Sequence, residues 1–246
     1  MGIFTGARIA FVLVLLAFFA GMAVQSSGYV GEILQHQDDI VYLLKQHLLL
    51  TLYSGSLAIV IGIALGILLS RPFMYFFAQP IMQLLNTGAT IPTLALLALC
   101  MSFLGIGQTP AIFGLTVATL LPIVRNTFAG LTSVPAHYLE SGRGMGMQPW
   151  QLLYWVEFPN ALFVIFAGIR TALAINVGTV PLAFLIGAGG LGELIFTGIS
   201  LDDMPMMLAG AIPTALLAIL VDFLFGVLSY LLVSRGVNPA RKSATS

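Results

Sequence analysis

The chain has 246 residues, 59% of them hydrophobic and only 7% charged, and its nine basic and nine acidic side chains cancel to zero net charge. A mean hydropathy of +1.04 excludes a soluble globular domain. The apolar runs are continuous rather than alternating with period two, which excludes a β-barrel. An all-α membrane protein remains, with six predicted transmembrane helices near 9–24, 48–69, 81–104, 110–124, 161–186 and 205–233.

Residues 1–44 form an N-terminal anchor helix and an outer segment. Arg8 followed by the run 9–24 also fits a cleavable signal peptide, but a retained anchor keeps the number of spans even. Both termini then lie on one side. If that side is cytoplasmic it receives Arg8, Arg71, Arg125, Arg143, Arg235, Arg241 and Lys242, against Lys45 alone outside, as the positive-inside rule requires. The outer segments are acidic, with Glu32, Asp38, Asp39, Glu193, Asp202 and Asp203, and His36 and His47 are placed there too.

Small residues recur every fourth position along the second span, at Ser54, Ala58, Gly62, Gly66 and Ser70. They make one smooth stripe on which another helix packs, within this chain or across a dimer seam. Prolines 92, 110, 122, 181, 205 and 213 lie within or at the ends of spans and predict bent helices. The single cysteine, Cys100, falls in the third span and forms no internal disulfide.

The loop 132–160 departs from its surroundings. It holds Glu140, Arg143 and Glu157, glycines 142, 144 and 146, and prolines 135, 149 and 159. Pro135 suits the start of a short helix, the glycines break it, and Gln148-Pro149 opens a second helix over 150–158 that ends at Pro159. The product is a compact knob, with Trp150, Tyr154 and Trp155 at the membrane interface.

Further on, Arg170 lies about 15 Å into the fifth span and Asp222 about 20 Å into the sixth from the same side. Similar depth predicts an Arg170–Asp222 pair inside the bundle, since charges in spans face the protein interior. Gly187, Gly189, Gly190 and Gly192 satisfy a dinucleotide-type GxGxxG, but no strand precedes them, so they predict a flexible turn or a short re-entrant segment at the outer mouth. No metal-ligand spacing, catalytic constellation, P-loop or inverted repeat is present, and residues 236–246 read as a short basic tail.

The spacing within the loop resembles the EAA motif of permease subunits in bacterial ATP-binding-cassette (ABC) importers: Glu-Ala-Ala, three residues, Gly, nine residues, Ile-x-Leu-Pro. Here Glu140-Ser141-Gly142, Gly146 and Val156-Glu157-Phe158-Pro159 keep every interval, with Ser and Gly for the alanines, Val for Ile and Phe for Leu. The runs 91–114, 120–131, 144–147, 167–179, 186–195 and 208–222 are similar to permeases of the glycine betaine, carnitine and choline group; methionine and phosphonate permeases share parts of them. The resemblance implies the type I importer permease fold over 45–235, with a coupling helix in the loop. Glu140, Ser141, Gly142 and Gly146 would contact a cytoplasmic ATPase, with Pro135 and Pro149 fixing the two helices. It also implies ATP and magnesium on that ATPase and no cofactor here, a second permease copy or paralogue, and an extracytoplasmic substrate-binding protein. No nucleic-acid partner is expected, and no substrate ligand is assigned on this chain. A self-contained ion-coupled transporter is the alternative from another class.

Overall fold

The computed structural model describes Gly21 and residues 28–233. The rest of the first predicted span, and the tail, lie outside the described residues. Within them every regular element is helical. A short α1 (Tyr29–Gln35) leads into α2 (Gln37–Leu69), followed by α3 (Tyr75–Gly88), α4 (Thr93–Leu104), α5 (Gln108–Thr132) and α6 (Ala136–Gly144). A helical turn Pro149–Gln151 and a π-helical segment Leu152–Glu157 run into α7 (Phe158–Thr179), which tightens to 3-10 geometry over Val180–Ile186. Then come α8 (Gly192–Leu201) and α9 (Met204–Leu232). Four stretches among the described residues are long and apolar enough to cross a membrane: Gln37–Leu69, Gln108–Thr132, Pro149–Ile186 and Met204–Leu232. The α3–α4 pair makes a fifth if counted as one broken span.

That break corrects the third predicted span. Residues 81–104 are not one helix, because α3 and α4 meet at 97°. Pro92 caps α4 with an extended ψ of 132° and disfavours helical geometry at Ile91, so hydrophobicity continues where the helix does not. The second span also starts earlier than its apolar run. Leu43, His47 and Leu50 are buried at helical spacing, which draws the polar stretch from Gln37 into the helix. His47 is therefore not outside: it is buried in α2, its Nε2 3.2 Å from the Val177 carbonyl oxygen of α7. Similarly, α5 runs on to Thr132, so Arg125 sits about 10 Å inside its end rather than in a loop.

The core is the contact of α2, α5 and α7. In a membrane the hydrophobic effect does not drive helices together, so close approach and polar bonds must hold them. The small-residue stripe of α2 supplies the approach. A Cβ on Gly62 would lie 2.7 Å from Ile123 Cγ2 and one on Gly66 2.5 Å from Thr127 Cβ, while beside the stripe one on Gly55 would lie 2.7 Å from Leu173 Cδ2. The stripe is thus spent inside the chain. Polar bonds join the same helices: Asn176 Nδ2 of α7 donates to Ser54 Oγ of α2 (2.9 Å), and Thr116 Oγ1 of α5 donates to the Ser54 carbonyl (3.2 Å). Helix α9 packs on α7 and α8.

Candidate functional site

The loop between α5 and α7 folds into a knob whose two halves meet at buried Gly142 and Leu152. Pro135 (φ −59°, ψ 136°) caps α6. Glycines 142 and 144 do not break this helix; both lie within it. Gly142 is buried, and a Cβ there would lie 2.5 Å from Leu152 Cδ2 and 3.3 Å from Met147 Sδ, so the second half of the knob packs directly on the first. The turn comes at Gly146, with φ +80°. Met147 N–H donates to the Gly142 carbonyl (3.1 Å) and Gly146 N–H to that of Arg143 (2.9 Å), the paired bonds of a Schellman ending in which glycine takes the left-handed position. Gln148 and Gln151 then form a reciprocal capping box around Pro149, the Gln148 N–H donating to Gln151 Oε1 at 2.7 Å.

The second helix does not stop at Pro159. Proline lacks only its own N–H and is tolerated in a first turn. The π-helical segment shifts the ladder, Phe158 N–H bonding the Leu153 carbonyl, and Asn160 Nδ2 donates to that of Val156 at 2.7 Å. The knob therefore continues without interruption into the membrane-crossing helix. It is also clamped from the side. Arg71, just past α2, pairs with Glu157, their side chains only 20% and 13% exposed. The same guanidinium donates to Ser70 Oγ (2.9 Å) and the Ile67 carbonyl (3.3 Å). Sequence inspection missed this clamp, since the partners sit in separate loops with no shared local pattern.

Outward, the knob presents Glu140, Ser141 and Arg143, all exposed. Ser141 Oγ donates to the His137 carbonyl (2.8 Å), and neither Glu140 nor Arg143 forms an ion pair among the described residues. Trp150, Tyr154 and Trp155 are exposed beside them, and Trp150 and Tyr154 line an apolar groove with Ile67, Leu153 and Phe158.

The other predicted residues lie elsewhere. Arg170 and Asp222 meet, Nε to Oδ1 at 3.1 Å and Nη2 to Oδ2 at 2.7 Å. They lie not inside the bundle but on an open groove, 39% and 46% exposed, because α7 and α9 turn these faces away from the chain's own core. In the glycine-rich turn, Gly187, Gly189 and Gly190 have φ of +77°, +79° and +89°. Gly190 N–H donates to Gln46 Oε1 of α2 at 2.9 Å. Gly192 approaches the backbone so closely that a Cβ would lie 2.0 Å from the Pro181 carbonyl oxygen. A 3-10 turn, not a strand, precedes these glycines.

Several apolar crossings, one of them broken, and a polar knob continuous with one of them define a multi-pass membrane protein. Residues 58–233 match the family described as binding-protein-dependent transport system inner membrane component, and the chain belongs to that family. It is 51% identical to the osmoprotectant import permease protein OsmY of Salmonella typhimurium over 89% of this chain and 90% of that one. It is 44% identical to the carnitine transport permease protein OpuCB of Listeria monocytogenes, over 80% and 89%. The glycine betaine/carnitine/choline transport system permease protein OpuCD of Bacillus subtilis is 41% identical over 80% and 83%. Among solved structures, an inward-facing MetNI methionine ABC transporter superposes with a TM-score of 0.71 at 25% identity, covering 79% of this chain and 96% of that one. The fold is that of the type I importer permeases, set in the inner membrane.

Proposed function

We propose that this chain is the permease subunit of an ATP-driven importer of osmoprotectant quaternary amines such as glycine betaine, carnitine or choline. The observation that carries the substrate class is the 51% identity, over nine-tenths of both chains, to an osmoprotectant import permease. In this reading the knob is the cytoplasmic coupling element, both termini are cytoplasmic, and the opposite face receives a binding protein that delivers the solute. A second permease, identical or related, completes the path.

The knob suits this task physically. Glu140, Ser141 and Arg143 are free to meet a soluble ATPase that holds the ATP and magnesium. Gly142 and Gly146 fix the shape of the contact, and Pro135 and Pro149 start its two halves. The Arg71–Glu157 clamp and the unbroken path into α7 let a push on the knob move α2 and α7 together.

Affinity purification from membranes in mild detergent tests the reading. Wild type should retain an ABC ATPase and a second permease, and Glu140→Lys should insert normally yet retain less ATPase and lose uptake. Uptake by this chain alone in liposomes without ATP would overturn the proposal and leave an ion-coupled carrier.

A further inference from the structure

Arg170 and Asp222 place opposite charges where lipid would not accept them. Arg170 lies twelve residues past Phe158, about 18 Å along α7, and Asp222 ten residues before Leu232, about 15 Å from the same end of α9. Both are near the middle of a hydrocarbon core about 30 Å thick. Charged groups at that depth face protein or water, yet these two open on a groove of about 450 Å³ at the surface of the chain. The α7 wall of the groove is mostly small or polar, with Ala167, Thr171 and Ala174 beside a single large apolar residue, Ile175. By contrast α9 exposes Ile219, Phe223 and Leu224, a surface made for lipid or helix packing. The guanidinium lies beside Gly226, where a Cβ would come within 3.3 Å of Arg170 Cζ, so the missing side chain leaves room for the fork next to the groove.

We propose that this pair is a passing-point for a zwitterion, a solute carrying one carboxylate and one quaternary ammonium, on its way across the membrane. The inference rests on the osmoprotectant reading and adds to it a site on the permease itself. The guanidinium fork matches a carboxylate in two parallel hydrogen bonds. A quaternary ammonium has no N–H to donate, so on this groove its attraction is to negative charge, which Asp222 supplies. On binding, Arg170 exchanges the Asp222 carboxylate for that of the solute, and Asp222 exchanges the guanidinium for the ammonium. Neither charge is left alone in a low-dielectric setting, where an unpaired ion is costly. Because the protein's own ion pair is given up as the two new contacts form, part of the gain is cancelled and the solute is bound without a deep trap, as a transport path requires.

The test is uptake by the complete importer, with its ATPase and binding protein, reconstituted in liposomes and supplied separately with glycine betaine and with choline, which lacks the carboxylate. Arg170→Gln should lower glycine betaine uptake about tenfold relative to choline uptake, the value of one charge-assisted contact. Arg170→Lys, which keeps the charge but loses the fork, should shift the same ratio less. Asp222→Asn should lower uptake of both solutes, since both carry the ammonium. An unchanged ratio in both Arg170 variants would assign the pair to helix packing and overturn the subsite, while uptake of both quaternary amines by wild type upheld the osmoprotectant reading. A wild-type importer that moves neither solute would overturn that reading and the subsite with it.

Discussion

Glu157→Gln isolates the mechanical link between knob and bundle, because it removes one charge and changes almost no volume. In the wild type the Arg71 and Glu157 side chains are 20% and 13% exposed, so the pair is largely shielded from solvent. Breaking a fully buried pair from one side costs about 3–5 kcal/mol, mostly through the charge left behind. Here the stranded guanidinium keeps Ser70 Oγ and the Ile67 carbonyl as acceptors. Partial hydration and those two bonds reduce the expected loss to about 2 kcal/mol. For a chain of this size that corresponds to a fall of about 4–8 °C in the unfolding midpoint. Thermal unfolding of the purified subunit in detergent measures it, with Arg71→Gln and the double variant closing a cycle. The double variant should be more stable than the sum of the single losses predicts, because it leaves no unpaired charge. Uptake should fall further than ATPase association in Glu157→Gln, since the knob's outward face is untouched. Single variants within about 1 °C of wild type, with strictly additive effects, would refute the idea that this pair fixes the knob.

Two other substitutions probe the packing. Gly192→Ala forces a Cβ to within 2.0 Å of the Pro181 carbonyl oxygen, a backbone atom that cannot swing aside. It should cost at least about 3 kcal/mol, seen as loss of folded subunit in a detergent size-exclusion profile. Normal yield would show that the turn carries slack. Asn176→Leu removes the bond from Nδ2 to Ser54 Oγ at 2.9 Å in a buried site between α2 and α7. The unfolding midpoint should drop by the equivalent of about 1–3 kcal/mol, and Asn176→Ala with Ser54→Ala should be less than additive.

What could be read from the sequence was what differs in composition from its neighbours. The loop 132–160 stands out because glycine, proline and charge interrupt hydrocarbon-compatible residues, and its EAA-like spacing needs only local counting. The ends of α9 were legible for the same reason, its predicted span 205–233 against the observed Met204–Leu232. What depended on tertiary contact was not legible. Gly142 looks like a helix breaker, since an interior glycine costs about 1 kcal/mol against alanine. In the fold that cost is outweighed by the approach of Leu152, which no Cβ would allow. His47 looked external because hydrophobicity starts after it, whereas its burial follows from a contact with Val177, 130 residues away. The 97° break between α3 and α4 was hidden by hydrophobicity that runs straight through it.

Under the proposed coupling, the polar contacts between α2 and the element carrying α7 would let one permease chain move as a lever. The stretch Pro149–Ile186 has 38 residues, roughly 57 Å at the α-helical rise. Helix α2 runs antiparallel beside it and, besides the His47–Val177 contact, is fastened to it at three levels. Arg71 holds Glu157 at the knob. Ser54 meets Asn176 in the middle. Gln46 holds Gly190 just past the far end. Van der Waals packing alone lets neighbouring helices slide, because one apolar ridge replaces another at little cost. A bond at each end and one between them removes that freedom, since sliding by a single turn would strand all three buried or part-buried partners at once. Displacement of the knob must then carry α2 and α7 together. The bent α3–α4 pair has no such fastening to α2 among the described hydrogen bonds and ion pairs, and its relation to the lever rests on apolar contact. If the bundle changes shape when the knob is pulled, the compliance lies between these two parts, not along α7.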